Sequence, residues 1–172
     1  MKKFIKKQII TETSLYYGEL KMPEGFEIDR DQLLLHQVYS EIKDKDFLIC
    51  RPFDMLNSYI IEHMYVEYNI ELQNRKTWGT EYKPLEKSKM LNHIDYYDLI
   101  NSTDFVLLYG VRTKECNVTI IYNNNKNLNQ EYNIILNSNE YVMFPACCSY
   151  YIDNKQKEKS NFIHTINYKQ IF

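Results

Sequence analysis

The sequence predicts an α+β fold in which N-terminal helices support a C-terminal jelly-roll or sandwich of β-strands. Two observations predict this fold. Apolar side chains recur at helical spacing early in the chain, and short segments rich in β-branched and aromatic residues follow one another after Asn74. No internal repeat or Ser/Gly/Pro-rich linker divides the chain. We therefore expect a single domain over residues 1–172, with a helical or mixed support region at 1–74 and the β region at 75–172.

The composition is that of a folded, soluble domain. Of 172 residues, 44% are hydrophobic and 16 are Tyr, so a core is easily supplied and wholesale disorder is excluded. The formal charge of −2 argues against a dedicated nucleic-acid binder, which would show a basic excess. No apolar stretch approaches the roughly 20 residues that span a bilayer, and the basic start has no apolar run behind it. We expect a cytoplasmic protein with no nucleic-acid or membrane partner.

Two helices are predicted in the support region. Asp29 precedes an apolar stripe that predicts a helix over about 30–43, and Asp54 precedes a second stripe that predicts a helix ending near Asn69. Both helices are expected to cover a sheet. The stripes consist of Leu34, Leu35, Val38 and Ile42 in the first helix, and of Leu56, Ile60, Met64 and Tyr68 in the second.

Eight β segments are predicted in the second half, and polar turns separate them as in antiparallel hairpins. The Asn-rich connector 122–130 is expected to close one hairpin, because Asn adopts the left-handed turn conformations readily. Eight short strands at this spacing favour a sandwich or a jelly-roll barrel. The segments are Lys76–Tyr82, Lys89–Tyr96, Asp104–Arg112, Cys116–Tyr122, Tyr132–Leu136, Tyr141–Phe144, Ser149–Asp153 and Phe162–Tyr168.

The candidate metal ligands are His93 and Asp95, on the second of these segments. In an extended strand, residues two apart point to the same face, so the imidazole and the carboxylate are able to meet one cation. A His and a carboxylate are two of the three ligands of the 2-His-1-carboxylate iron site, which keeps open positions for oxygen and substrate.

Four motifs occur in an order that resembles the 2-oxoglutarate- and iron(II)-dependent oxygenases. Among these, the chain is most similar in style to the small bacteriophage members. The motifs are Trp78-Gly79, His93-Ile94-Asp95, Phe105–Tyr109 and Tyr141–Pro145. The resemblance covers roughly residues 76–168. It implies a double-stranded β-helix, the jelly-roll barrel of that family, with Fe(II) and 2-oxoglutarate as cofactors and with His93 and Asp95 as metal ligands.

The same resemblance implies an incomplete site. When residues 144–150 are laid on the family's distal-His motif, Tyr150 falls where the His belongs, which makes Tyr150 the catalytic candidate at the third corner. Asn161 stands near the Arg that pairs with 2-oxoglutarate, and no Arg follows Arg112. Such an Arg makes a charge-assisted, usually bidentate contact. We expect an oxygenase-like protein that is non-catalytic or atypical, with Asn161 and Tyr109 as candidate cofactor-binding residues.

A second hypothesis is a structural or assembly module, as in a bacteriophage particle, with the jelly-roll as an interaction scaffold. Its location would be the host cytoplasm or the virion. Tyr is enriched at protein interfaces, so Tyr-rich faces would bind protein partners or a second copy of the chain. The adjacent pairs that suggest such faces are Tyr16-Tyr17, Tyr96-Tyr97 and Tyr150-Tyr151.

A third hypothesis is a cupin-like binder or isomerase of a sugar or another small molecule. Its pocket would be the mouth of the barrel, with His93 as the base and Tyr150 as the acid. The lining residues would be Trp78, Tyr82, Tyr109 and Tyr150.

Overall fold

The structure is a computed structural model that describes residues 14–41, 51–123 and 128–171. The end of the first predicted helix and residues 124–127 of the Asn-rich connector lie outside the described residues. No helix within the described ranges is long and apolar enough to cross a membrane. The elements are β1 (Tyr16–Glu19), α1 (Arg30–Glu41), α2 (Arg51–Tyr68), β2 (Glu71–Tyr82), β3 (Phe105–Arg112), β4 (Cys116–Asn123), β5 (Asn129–Leu136), β6 (Glu140–Pro145), β7 (Ser149–Asn154) and β8 (Asn161–Ile171).

The strands form two antiparallel sheets. One has five strands in the order β1-β6-β3-β8-β2, and the other has three in the order β5-β4-β7. Side chains from the inner faces of both sheets form one core, for example Val106 and Phe144 of the larger sheet with Ile120 and Ile152 of the smaller. This arrangement is the predicted β-rich jelly-roll.

A second core lies on the outer face of the five-stranded sheet. Leu56, Ile60 and Met64 of α2 are fully buried there, in the same cluster as Leu107 of β3 and Tyr141 of β6. The five-stranded sheet is therefore buried on both faces. Burial on both faces explains why β3 and β6 are continuously apolar instead of alternating.

Local hydrogen bonds determine where the helices begin and end. At the start of α1, the N–H of Gln32 donates to Oδ1 of Asp29 (2.8 Å) and the N–H of Asp29 donates to Oε1 of Gln32 (2.9 Å), a reciprocal capping box. Asp29 is thus the cap that the sequence predicted. At the end of α2, Asn69 takes a φ of 54°, and the N–H of Ile70 donates to the carbonyl of Met64. This left-handed residue stops the helix, because it turns the chain away from the helical path.

One predicted strand was wrong. In place of a strand over Lys89–Tyr96, the structure has isolated bridges at Lys87 and Leu91 against β7. Beyond Leu91, side chains take the backbone N–H groups that a ladder would use: Oδ1 of Asn92 accepts from Ile94, and Oδ1 of Asp95 accepts from Tyr97. Asn and Asp compete with sheet hydrogen bonds in this way. The opposite error was to miss β1, a four-residue strand that pairs with the edge of β6.

Candidate functional site

The candidate site lies between the two sheets, where the segment after β2 passes beside β7. Leu91 and Tyr150 exchange two backbone hydrogen bonds of 2.8 and 3.0 Å, which place this segment next to the start of β7. Two residues later, Nε2 of His93 lies 2.8 Å from the hydroxyl oxygen of Tyr150. Tyr150 is 1% exposed. The structure thus brings together the predicted metal ligand His93 and the predicted catalytic residue Tyr150.

Aromatic rings continue on both sides of this pair. The indole of Trp78, on β2, lies 5.1 Å from the His93 ring between centroids, and the ring of Phe144, on β6, lies 5.2 Å from that of Tyr150. The His93 and Tyr150 rings are 5.6 Å apart. These four rings form a row, here called the aromatic row, that crosses the inter-sheet space. Within this row His93 is half-buried and Tyr150 is almost completely buried.

Burial controls the protonation of the pair. It lowers the pKa of His93 to about 4, and the positive charge of Lys76 adds to the effect. It also raises the pKa of Tyr150 well above its usual range. Both groups are therefore neutral at neutral pH, and their contact is an uncharged hydrogen bond. An imidazole with so low a pKa is a weak base, and a phenol with a raised pKa is a weak acid, so neither is tuned for proton transfer at pH 7.

Sequence analysis missed two polar residues on the sheet face of Trp78, of which Lys76 is exposed and Asn167 is buried. Lys76 of β2 stands opposite Asn167 of β8 in the register, on the face that Trp78 shares. Asn167 is 6% exposed, and its Oδ1 has no hydrogen-bond partner within the described part of the chain. Lys76 forms no ion pair with any described carboxylate. Lys76 lies two residues from Trp78 on β2, and Asn167 lies two residues from the partner of Trp78 on β8. This alternation along the strands was the signal that places both side chains on the face of Trp78.

The strand that was expected to place Asp95 and His93 on one face is not formed. Residues 93–95 form no strand, so the same-face argument for the two side chains does not apply. The carboxylate of Asp95 caps an exposed turn, where Oδ1 accepts from the N–H groups of Tyr97 (2.9 Å) and Asp98 (3.3 Å). Among the described residues, no group of three or more His, Cys, Asp or Glu side chains is placed to hold a metal ion. The donors in the described ranges therefore do not fit the three-ligand iron site that the resemblance implies.

The two candidate cofactor-binding residues lie away from the His93–Tyr150 pair. Tyr109 points to the helix-covered face of the sheet, where its hydroxyl donates to Oδ1 of Asn139 (2.9 Å) and burial raises its pKa to about 12. It therefore does not line the inter-sheet space with Trp78 and Tyr82. Asn161 pairs with Tyr82 in the register and is 2% exposed, in a hydrogen-bond network toward the other end of β8.

His164 is a buried histidine of the core. His164 shares the helix-covered face with Ile166, stacks on Phe53 of α2 with ring centroids 4.5 Å apart, and hydrogen-bonds through Nε2 to Oγ1 of Thr77 (2.8 Å). It is 1% exposed. His164 and Ile166 are two residues apart on β8, so their side chains share this face. His164 and His93 therefore lie on opposite faces of the five-stranded sheet.

No family model matches the sequence, and no curated protein matches it. Solved structures do. The α-ketoglutarate-dependent epimerase SnoN from nogalamycin biosynthesis aligns with a TM-score of 0.60 at 5% identity, covering 91% of this chain and 78% of that one. HygX from Streptomyces hygroscopicus, solved with nickel and 2-oxoglutarate bound, aligns with a TM-score of 0.56 at 10% identity, covering 93% and 83%.

An oxidoreductase of the 2OG-Fe(II) oxygenase family from Burkholderia pseudomallei aligns with a TM-score of 0.53 at 8% identity, covering 92% of this chain and 72% of that one. At such identities the likeness concerns the fold alone. Structural neighbours of this chain thus include 2OG-Fe(II) oxygenase-family proteins, and the chain shares their jelly-roll fold.

Proposed function

We propose that this protein is a metal-independent binding protein built on the 2-oxoglutarate oxygenase fold, and that it does not catalyse iron-dependent oxidation. The observation that carries the proposal is the 2.8 Å hydrogen bond between Nε2 of His93 and the hydroxyl of Tyr150. An iron site of this class needs three donors that converge on one cation. Here Nε2 of the imidazole is engaged by a phenol that burial keeps protonated, and the Asp95 carboxylate is engaged by backbone N–H groups.

The inter-sheet site supports a hydroxylated acid, such as a sugar acid, as the ligand. The ammonium of Lys76 offers a charge for a carboxylate, and the buried Oδ1 of Asn167 needs a hydrogen-bond donor, which a hydroxyl supplies. The indole of Trp78 offers an apolar face to a sugar ring. 2-Oxoglutarate carries no hydroxyl, so it would leave the Asn167 oxygen unsatisfied.

The test is an anaerobic titration of the wild type and of His93→Ala with iron(II) and 2-oxoglutarate, beside thermal melts with gluconate, glucuronate and nucleotide sugars. We expect no tight iron binding and no turnover of 2-oxoglutarate, but a rise in Tm with a sugar acid and no added metal. Lys76→Gln should abolish this rise, whereas the matched variant Lys89→Gln, on an exposed segment, should keep it. Tight iron binding that is lost in His93→Ala, followed by turnover, would refute the proposal.

A specific surface feature favours assembly as a second candidate function. The loop after Asp95 exposes four large apolar side chains: Tyr96 (70%), Tyr97 (104%), Leu99 (62%) and Ile100 (83%). The loop is ordered by its own hydrogen bonds, since Asn101 donates through its backbone and its side chain to Asp98 (3.2 and 2.9 Å). An ordered, exposed apolar loop is typical of a contact surface.

The occupant we propose for this loop is a second copy of the chain, as in an assembly module of a bacteriophage particle. Light scattering should show a molar mass that rises with concentration, and the double variant Tyr97→Ser/Ile100→Ser should remain monomeric. A monomeric wild type at all concentrations would exclude this candidate.

A further inference from the structure

A cleft of about 780 Å³ lies against α1, between the end of β3 and the start of β8. It is lined in part by Leu33 and Leu34 of α1 and by the residues that follow β3 and precede β8. Its volume falls within the range of small-molecule sites. Neither His93 nor Tyr150 lines it. The cleft is therefore separate from the inter-sheet site.

Positive charge predominates in the lining. Three cationic residues, Arg112, Lys114 and Lys159, face two carboxylates, Glu81 and Glu158. None of the three cations forms an ion pair with a carboxylate in the part of the chain that the structure describes. Their charges are thus available to an anion, and the two carboxylates are placed to accept hydrogen bonds from hydroxyl groups of the same ligand.

A buried amide network holds the backbone beneath two of these cations. Asn161 donates through Nδ2 to Oδ1 of Asn154 (2.8 Å) and to the carbonyl of Lys114 (3.2 Å), and its Oδ1 accepts from the N–H of Lys114 (2.9 Å). Asn154, which is fully buried, donates to the carbonyl of Lys159 (2.9 Å). The segments that carry Lys114 and Lys159 are therefore fixed to one another before any ligand arrives, which lowers the entropic cost of binding.

The wall formed by α1 and β8 is apolar. Leu34 is 46% exposed although it is a large hydrophobic side chain, and Phe162 lies across the same cleft at the start of β8. A planar ring fits such a wall, because apolar contact and π-stacking both favour it. Arg112 supplies a guanidinium fork, which matches the geometry of phosphate oxygens.

We propose that this cleft binds a phosphorylated small molecule that carries a ring, of the nucleotide class. The phosphate lies among Arg112, Lys114 and Lys159, the hydroxyl groups face Glu81 and Glu158, and the ring contacts Leu34 and Phe162. The proposal goes beyond the proposed function and stands independently of it, since no residue of the cleft belongs to the His93 site.

The experiment is calorimetric titration of the full chain with AMP, adenosine, inorganic phosphate and citrate at low and at high salt. We expect AMP to bind, adenosine not to bind, and inorganic phosphate to compete weakly; added salt should weaken AMP binding, because the contact is ionic. Binding of citrate in preference to every phosphorylated compound would overturn the assignment of the class.

Arg112→Gln and Lys159→Gln should each weaken AMP binding by about tenfold, the value of one charge-assisted hydrogen bond. Lys157→Gln is the matched control, because Lys157 lies in the same exposed loop but does not line the cleft. AMP affinity that is unchanged in Arg112→Gln and Lys159→Gln, or absent in the wild type, would refute the site. His93→Ala should bind AMP like the wild type, so failure here is distinguishable from failure at the inter-sheet site.

Discussion

The hydroxyl of Tyr150 lies 2.8 Å from Nε2 of His93, and this contact ties β7 to a segment that forms no strand of its own. Leu91 exchanges backbone hydrogen bonds with Tyr150, but the ladder ends there. Beyond that point side chains link the segment to β7: Nδ2 of Asn92 donates to Oγ of Ser149 (3.4 Å), and His93 contacts the Tyr150 hydroxyl. The pair therefore has a structural role whether or not a ligand binds beside it.

We predict that the protein becomes less stable as the pH is lowered, because the folded state disfavours protonation of His93. The folded protein holds the pKa of His93 at about 4, mainly by burial, against 6.5 for the unfolded chain. Below about pH 6.5 the unfolded chain takes up a proton that the folded chain refuses, so the free energy of unfolding decreases until about pH 4. Urea denaturation across this window should show a decline in the wild type and a flatter profile in His93→Gln. Parallel profiles would contradict the assignment to His93.

Tyr150→His should create a two-histidine metal site together with His93. The variant places a second imidazole opposite His93, and two histidines are a common start of a Co(II) or Ni(II) site. We expect a Co(II) absorption band in Tyr150→His that disappears when His93 is also changed to Ala. Tyr151→His is the control, because Tyr151 is the next residue of β7 and points to the opposite face, where its ring contacts Lys87. Equal cobalt binding in both variants would contradict the geometry.

The strands with a continuous or alternating pattern of apolar residues could be predicted from the sequence, because that pattern follows directly from which side chains are buried. It wrongly predicted a strand over residues 89–96, since the outcome there depended on whether Asn92 and Asp95 would bond the backbone locally. Period and propensity do not report that competition. Tyr150 and His93 were each identified as candidates from different motifs of the same family resemblance. Their contact depends on the bridge between Leu91 and Tyr150, which is a tertiary interaction that the motifs do not report.

Asn161→Ala should destabilise the protein strongly. The substitution removes the side-chain partner of the Lys114 N–H and of the Lys114 carbonyl. It also removes one of two donors to Oδ1 of Asn154, which keeps the N–H of Gln156 (3.0 Å). Leaving such groups unpaired costs about 3 kcal/mol in total. Asn129→Ala, at an exposed position of β5, should change the free energy of unfolding by less than about 0.5 kcal/mol. Urea denaturation measures both, and similar values for the two variants would contradict the network.

Ile60→Ala tests the contribution of α2 to the β-sheet core. Ile60 is fully buried in the cluster that joins α2 to the five-stranded sheet. Removing its side chain should cost about 2–5 kcal/mol through lost burial and a residual cavity. Val66→Ala on the same helix, where Val66 is 68% exposed, should cost less than about 0.5 kcal/mol. A small effect of Ile60→Ala would mean that the helix does not stabilise the sheet.

Gly110→Ala should destabilise the end of β3 because there is no room for a side chain. A Cβ built at Gly110 would meet the carbonyl oxygen of Asn137 and Oγ1 of Thr113 inside contact distance, and the N–H of Asn139 already donates to the carbonyl of Gly110 (2.8 Å). The turn before β6 would have to shift, at a cost of about 2 kcal/mol.

Gly18→Ala is the matched control for this substitution. A Cβ at Gly18, in β1, would lie 3.6 Å from the Tyr141 ring, an ordinary contact, so stability should change by less than about 1 kcal/mol. Thermal unfolding of the two variants should therefore show a lowered Tm for Gly110→Ala alone. Because the turn over Gly110 also carries Ser138, which lines the cleft beside α1, Gly110→Ala should weaken AMP binding as well, whereas Gly18→Ala should leave it unchanged.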